Sequence, residues 1–132
     1  MRAGLTGLCA LVLGACGLQR IGFVLDNAGV VPDLAIVELG GNDLLRGIAP
    51  EQTRANLTAI IAELQSRGIE VLLMGMRAPP NLGPQFQQQF DGLYPDLARQ
   101  YDTALVPFFM EPVFDQPKLM QDDRIHPTAE GI

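Results

Sequence analysis

A histidine and an aspartate near the end of the sequence have the spacing of a general base and the acid that orients it. His126 is the only histidine, and Asp123 precedes it by three residues in a polar segment, 122–127. An imidazole titrates near neutrality and can take a proton from a nucleophile. A carboxylate bound to one ring nitrogen fixes the tautomer and stabilises the imidazolium. The pair predicts the second half of a catalytic triad; a solvated loop in which Asp123 caps the following turn is the alternative.

A carboxamide, Asn42, follows two adjacent glycines, Gly40 and Gly41, and precedes Asp43. Its N–H groups could stabilise an oxyanion, and the glycines allow the backbone to approach a ligand closely. Asn42 is therefore a candidate oxyanion donor. An Asx-turn explains an asparagine in this position equally well.

Three apolar runs predict the strands that position these residues. Asp33 to Leu39 is a β-branched run, which is typical of a parallel strand buried on both faces. Ile69 to Met76 and Ala104 to Phe108 have the same character. Amphipathic segments between them predict two helices, Pro50 to Arg67 and Phe86 to Tyr101.

Breaks inside this pattern are also informative. Gly92 and Pro95 are expected to weaken or kink the second helix. The proline-rich segment from Arg77 to Pro84 is expected to be a loop. Four of its residues are expected to line the site, namely Arg77, Pro79, Pro80 and Asn81.

The order strand, helix, strand, helix, strand predicts an α/β domain with a parallel sheet and right-handed crossovers. Sites in such sheets lie beyond the carboxyl ends of the strands. The loops that carry Asn42 and His126 are therefore expected to share one site.

Composition excludes several classes of function. The 132 residues suit one globular domain. Nine basic against fifteen acidic residues give a net charge of -6, so no basic surface exists to neutralise a phosphate backbone, and nucleic acid is not an expected partner. Two cysteines, Cys9 and Cys16, cannot form a disulfide framework or a four-ligand zinc site.

The N-terminal segment 1–16 has the composition of a signal peptide, because a basic start precedes an uncharged apolar stretch. Leu13 to Cys16 resembles a bacterial lipobox, with Cys16 as the lipid-attachment residue. Export predicts a periplasmic protein or a membrane-anchored lipoprotein. The alternative is a buried first strand from Leu8 to Leu13 with Cys16 as a buried thiol, which predicts a cytoplasmic protein.

Gly40 to Asp43 and Asp123 to His126 resemble blocks III and V of the SGNH or GDSL hydrolases. Residues 37–47, 106–110 and 120–123 are similar to the branch that contains thioesterase I, lysophospholipase L1 and arylesterase. The resemblance extends from Pro32 to Gly131. It implies a flavodoxin-like three-layer α/β/α sandwich and hydrolysis of small-molecule acyl esters or thioesters, without metal or organic cofactor.

The resemblance also implies residue roles: His126 as base, Asp123 as orienting acid and Asn42 as oxyanion donor. Against the family pattern, the sequence looks incomplete at the N-terminal strand and the C-terminal helix. The predicted organisation is a signal segment (1–16), a remnant of the family's N-terminal region (17–31) and a partial hydrolase domain (32–132).

The nucleophile of the family's block I and the glycine of block II have no plain counterpart. The only serine is Ser66, near the end of a predicted helix, where the helix dipole opposes a developing alkoxide. Cys16 could replace the serine, but too few residues separate it from the next predicted strand, 22–26, for a parallel crossover. The predictions are an acyl hydrolase or, alternatively, an inactive truncated relative, a non-catalytic lipoprotein or a poorly folding fragment.

Overall fold

The structure, a computed structural model, describes residues 9–10 and 31–132. Within them, four parallel strands form one sheet in the order β1 (Cys9–Ala10), β2 (Leu34–Val37), β3 (Glu70–Met74) and β4 (Ala104–Val106). Ala35 pairs with Val71, and Leu73 pairs with Leu105. The predicted α/β class and parallel sheet are confirmed.

Three α-helices accompany the strands: α1 (Gly41–Leu45), α2 (Pro50–Ser66) and α3 (Pro84–Tyr101). The strands follow one another across the sheet in sequence order. Right-handed crossovers between them therefore place their helices on the same face of the sheet, and α2 and α3 pack together on one side of β3. Both helices begin with proline, which suits the first helical position because its missing N–H has no partner there anyway.

α3 continues through Gly92 and Pro95 as one helix, and a fully buried stripe that includes Phe90 and Leu97 offsets the low helix propensity of these two residues. The predicted loop from Arg77 to Pro84 contains a short 3-10 helix, Pro80–Leu82.

The core lies between the sheet and the two long helices. Alternate residues of β2 and β3 face it, and α2 and α3 add an apolar stripe each. Its fully buried apolar side chains are worth about 1.5–3 kcal/mol each. The largest are Leu57, Ile61, Leu64, Ile69, Leu73, Phe90, Leu93, Tyr94 and Leu97. The core thus holds the sheet against α2 and α3, and the loops at the carboxyl ends of the strands are available to form a site.

Most of the N-terminal segment, including Cys16, the predicted strand 22–26 and nearly all of the predicted regions 1–16 and 17–31, lies outside the described residues. Cys9–Ala10 is described, and it pairs in parallel with Ala35 and Ile36 of β2. These two residues belong to the Leu8 to Leu13 run, for which a first strand is the alternative to a signal peptide. None of the helices in the described part is long and apolar enough to cross a membrane.

Candidate active site

The turn after β2 brings Asn42 to the edge of the sheet. Gly40 has a φ of 116°, a left-handed conformation that favours glycine, and it directs the chain from the strand into α1. The amide of Leu44 donates to the Gly40 carbonyl at 2.9 Å, and the amide of Ile48 donates to the Asp43 carbonyl at 2.9 Å. The side chain of Asn42 is left exposed at the start of α1.

Two buried hydroxyl groups hold this turn against the helices. The Tyr94 hydroxyl donates to the Leu39 carbonyl at 2.9 Å, and the Thr53 hydroxyl donates to Asp43 Oδ2 at 3.0 Å. Both Tyr94 and Thr53 are almost fully buried. Neither residue was predicted from the sequence to belong to the site, although the hydroxyl of Thr53, four residues before Leu57 on the apolar stripe of α2, indicates a polar contact there.

The titration of groups around this turn reflects burial. Burial raises the pKa of Tyr94 far above its usual range, and the carboxylates of Asp43, Glu38 and Asp91 raise it further. Burial also raises the pKa of Glu38. Tyr94 therefore stays neutral and keeps its proton for the Leu39 carbonyl.

His126 lies at the end of a tight turn that closes on itself. The amide of Gln121 donates to the His126 carbonyl at 2.8 Å, and Met120 forms an antiparallel bridge with Pro127. Arg124 has a φ of 55° within this turn, and its amide donates to the Gln121 carbonyl at 2.9 Å. The histidine is thus placed by local backbone bonds rather than by core packing.

The structure brings Asp123 and His126 into direct contact. Asp123 Oδ2 lies 2.7 Å from His126 Nδ1, and Asp123 Oδ1 accepts from the amides of Ile125 at 2.9 Å and His126 at 3.1 Å. The His126 hydrogen bond and these amides lower the Asp123 pKa to about 2. A carboxylate that stays ionised on Nδ1 leaves Nε2 as the nitrogen able to accept a proton. Both interpretations of the spacing are compatible with this turn, since Asp123 caps it and also contacts the ring.

One cleft of about 1000 Å³ extends between the two turns. Asn42 and His126 both line it, whereas Asp123 stands behind the histidine and is not part of the lining. The loop after β3 also contributes to this cleft, because Arg77, Pro79, Pro80 and Asn81 all line it. The remaining lining is mainly apolar and includes Leu44, Leu57, Ile60, Met76, Phe108, Phe109, Met110 and Phe114.

The loop after β3 is pinned to α3. The Ala78 amide donates to Asp91 Oδ1 at 2.7 Å, and Gln87 Nε2 donates to the Ala78 carbonyl at 3.1 Å. Arg77 lies over the ring of Phe108 at 5.0 Å and reaches Glu111 at 3.7 Å. This wall of the cleft is therefore held by polar contacts as well as by packing.

The described residues place no serine in the cleft. Ser66, the only serine of the sequence, ends α2, and its hydroxyl donates to the Glu63 carbonyl at 2.8 Å. It does not belong to the cleft lining. Cys16, the alternative nucleophile, lies outside the described residues.

A parallel α/β domain whose histidine–aspartate pair and carboxamide meet at one cleft beyond the strand ends has the architecture of an acyl hydrolase of the SGNH type. The chain belongs to the GDSL-like lipase/acylhydrolase family, whose model matches residues 3–131. The resemblance drawn from the two sequence blocks is thereby confirmed.

Known proteins similar to this chain are esterases and thioesterases. Thioesterase 1/protease 1/lysophospholipase L1 of Escherichia coli (strain K12) is 46% identical over 100 residues, which are 76% of this chain and 48% of that protein. Esterase TesA of Pseudomonas aeruginosa is 45% identical over 114 residues, 86% of this chain and 56% of that protein. The chain spans about half the length of these relatives.

A solved structure supports the fold assignment. The crystal structure of AlinE4, an SGNH-hydrolase family esterase, is 63% identical and superimposes with a TM-score of 0.78. The match covers 86% of this chain and 60% of that one. The described part of the chain therefore has the SGNH hydrolase fold.

Proposed function

We propose that the chain supplies the base, the orienting acid, an oxyanion donor and the acyl-binding cleft for hydrolysis of small carboxylic esters or thioesters. The observation that carries this proposal is the common cleft of Asn42 and His126, which reach it from opposite ends of the described chain. Family membership supports the proposed reaction class, and the names of the relatives support esters and thioesters as substrate classes.

In the proposed mechanism, a hydroxyl or thiol attacks the carbonyl carbon of the substrate while His126 Nε2 takes its proton. When the tetrahedral intermediate collapses, the bond to the leaving alcohol or thiol breaks and His126 returns the proton to it. Water then attacks the acyl intermediate in the same way, releases the carboxylic acid and restores the nucleophile. Asp123 holds the ring through Nδ1 and stabilises the imidazolium that forms. Because the Asp123 pKa is about 2, the carboxylate is ionised throughout the pH range in which an imidazole changes its charge. The side-chain amide of Asn42 donates to the oxyanion of the tetrahedral intermediate.

The apolar lining of the cleft suits the acyl chain of the substrate. Methionine and phenylalanine side chains such as Met76, Met110 and Phe108 offer adaptable apolar contacts without hydrogen-bonding demands. An apolar acyl group would bury surface there, and its carbonyl would face the polar end at Asn42 and His126. We propose an ester or thioester with an apolar acyl group as the substrate.

Binding can be tested separately from turnover because His126 is the only histidine. In a sample labelled with ¹⁵N-histidine, the ring nitrogens of His126 give one set of signals. We expect butyrate, a reaction product, to shift them saturably, and Asn42→Ala to weaken butyrate binding about tenfold through the loss of a charge-assisted hydrogen bond. Gln88→Ala, on the exposed face of α3, is the control and should leave the affinity unchanged.

Hydrolysis of p-nitrophenyl butyrate then decides between an active enzyme and an inactive relative. Turnover that disappears in His126→Ala supports the hydrolase, and its loss in Cys16→Ser as well would identify Cys16 as the nucleophile. Butyrate binding without turnover supports an inactive relative that retains the cleft. A chain that neither binds butyrate nor hydrolyses the ester contradicts the proposal.

Whether the N-terminal segment is removed on export or retained is tested separately from the activity. Export predicts a mature chain that begins at Cys16 and carries lipid, whereas the alternative predicts that residues 1–15 are retained. The pairing of Cys9–Ala10 with β2 and the family match from residue 3 support retention. The mass of the protein expressed in a bacterial host distinguishes the two outcomes.

A further inference from the structure

The turn that carries Asn42 is held on both sides of the asparagine by hydroxyls from other elements. Tyr94 of α3 binds the carbonyl of Leu39, and Thr53 of α2 binds the carboxylate of Asp43. Asn42 lies between these two attachment points. Tyr94 and Thr53 have relative exposures of 0% and 1%, so water cannot replace either bond without rearrangement of the core.

Gly40 shows how closely these groups meet. A β-carbon at Gly40 would overlap the Tyr94 hydroxyl and would lie 3.5 Å from the Thr53 methyl group. The absence of a side chain therefore allows both helices to approach the turn. Asn42 itself receives no such support, since its side chain is exposed.

Each hydroxyl donates its hydrogen bond to the turn and not to a residue of its own helix. Both lie among the buried residues of their helices, where a methyl or a phenyl group would pack without any hydrogen-bonding demand. Burial of a polar group is favourable only when its partner is correctly placed. The two bonds are therefore satisfied only when the turn has the position seen here.

We propose that Tyr94 and Thr53 are positioning residues, which hold the turn so that the Asn42 amide faces the oxyanion position in the cleft. This inference rests on the proposed function for the role of Asn42. It makes the oxyanion donor dependent on the packing of α2 and α3, whereas His126 depends on its own turn.

Isosteric variants test the proposal. Thr53→Val and Tyr94→Phe each remove a hydroxyl and keep the shape, and Thr53→Ser restores the hydroxyl. Ser66→Ala is the matched control, because it removes an α2 hydroxyl that bonds only within its own helix. The readout is the side-chain amide of Asn42 in chains labelled with ¹⁵N-asparagine, assigned by its loss in Asn42→Ala.

We expect the Asn42 amide signals to shift or broaden in Thr53→Val and Tyr94→Phe, and to regain their original position in Thr53→Ser. Butyrate affinity should fall about tenfold in Thr53→Val, and the same substitution should have little further effect in an Asn42→Ala background. A general loss of structure would instead lower the affinity in both backgrounds.

Unchanged Asn42 signals in both folded variants would overturn the proposal, and so would equal changes in Ser66→Ala. Should Thr53→Val fail to fold, Tyr94→Phe tests the same turn through its other supporting bond, with Ser66→Ala as the control. Wild-type protein that neither binds butyrate nor hydrolyses p-nitrophenyl butyrate would refute the proposed function alone, because the response of the Asn42 amide to the two hydroxyls is measured without ligand.

Discussion

Replacement of Gly40 by alanine introduces a methyl group where the Tyr94 hydroxyl already lies. Two effects oppose this change. The first is the backbone conformation, because a φ of 116° is strained for any residue with a β-carbon. The second is the overlap between the new methyl group and the phenol oxygen of Tyr94.

The expected magnitudes separate these effects. A non-glycine residue in such a region costs about 1–3 kcal/mol, and overpacking costs about 1–3 kcal/mol more. Gly40→Ala should therefore lower the free energy of unfolding by about 2–6 kcal/mol. Gly47 is the matched control, because its φ is 63° but no atom lies within 4 Å of a β-carbon there. Gly47→Ala should show the backbone effect alone, about 1–2 kcal/mol.

A double-mutant cycle with Tyr94→Phe tests the contact itself. Tyr94→Phe alone should cost about 1–3 kcal/mol, because it removes the hydroxyl that donates to the carbonyl of the half-buried Leu39. It also removes the oxygen that the methyl group would meet, so Gly40→Ala should cost less by about 1–3 kcal/mol in this background. Urea unfolding followed by circular dichroism at 222 nm measures all four chains. Additive effects, or a Gly40→Ala effect no larger than that of Gly47→Ala, would refute the reasoning.

Three further predictions concern titration and packing. The Asp123 carboxyl should titrate near pH 2 when it is followed by ¹³C NMR. Its contact with the ring is therefore complete above its ordinary pKa of 3.8 and is lost as the pH falls through about 2. His126→Ala should raise this midpoint, and an unchanged midpoint would contradict the assigned cause. Absorbance at 295 nm should show Tyr94 ionising well above pH 10, so its contribution to stability is complete below pH 10 and declines as the pH rises further, whereas a normal Tyr94 titration would disprove its burial. Phe90→Ala should lower the free energy of unfolding by about 3–5 kcal/mol in urea titrations, and a loss below about 1 kcal/mol would show that the core is not formed as described.

The elements were predictable wherever burial follows a local period. The apolar runs and stripes predicted β2, β3, β4, α2 and α3, because each must present one or two apolar faces to the core. Strand ends were predicted less well: the first run extends to Leu39, but β2 ends at Val37, the last residue of β2 that pairs with β3. The hydrogen bonds of the ladder, which periodicity does not report, set that boundary.

The candidate site divides along the same line. The Asp123–His126 contact spans three residues, so spacing alone could predict it. The bond from Tyr94 to Leu39 joins residues that are 55 positions apart, and no local pattern reports such a pairing. The cleft was predicted only in part. Its position follows from the rule that sites lie beyond the carboxyl ends of parallel strands, but its apolar lining does not.

The two turns of the site differ in how far they depend on the packing of the domain. The His126 turn is closed by backbone bonds within residues 119–128, so it depends little on the rest of the domain. The Asn42 turn depends on two helices, because its supporting bonds come from Thr53 and Tyr94. A substitution that loosens the packing of α2 against α3 should therefore displace the Asn42 amide more than the His126 imidazole. On the proposed role of Asn42 as oxyanion donor, core mutations in this domain should therefore weaken oxyanion stabilisation first and leave the histidine–aspartate pair intact.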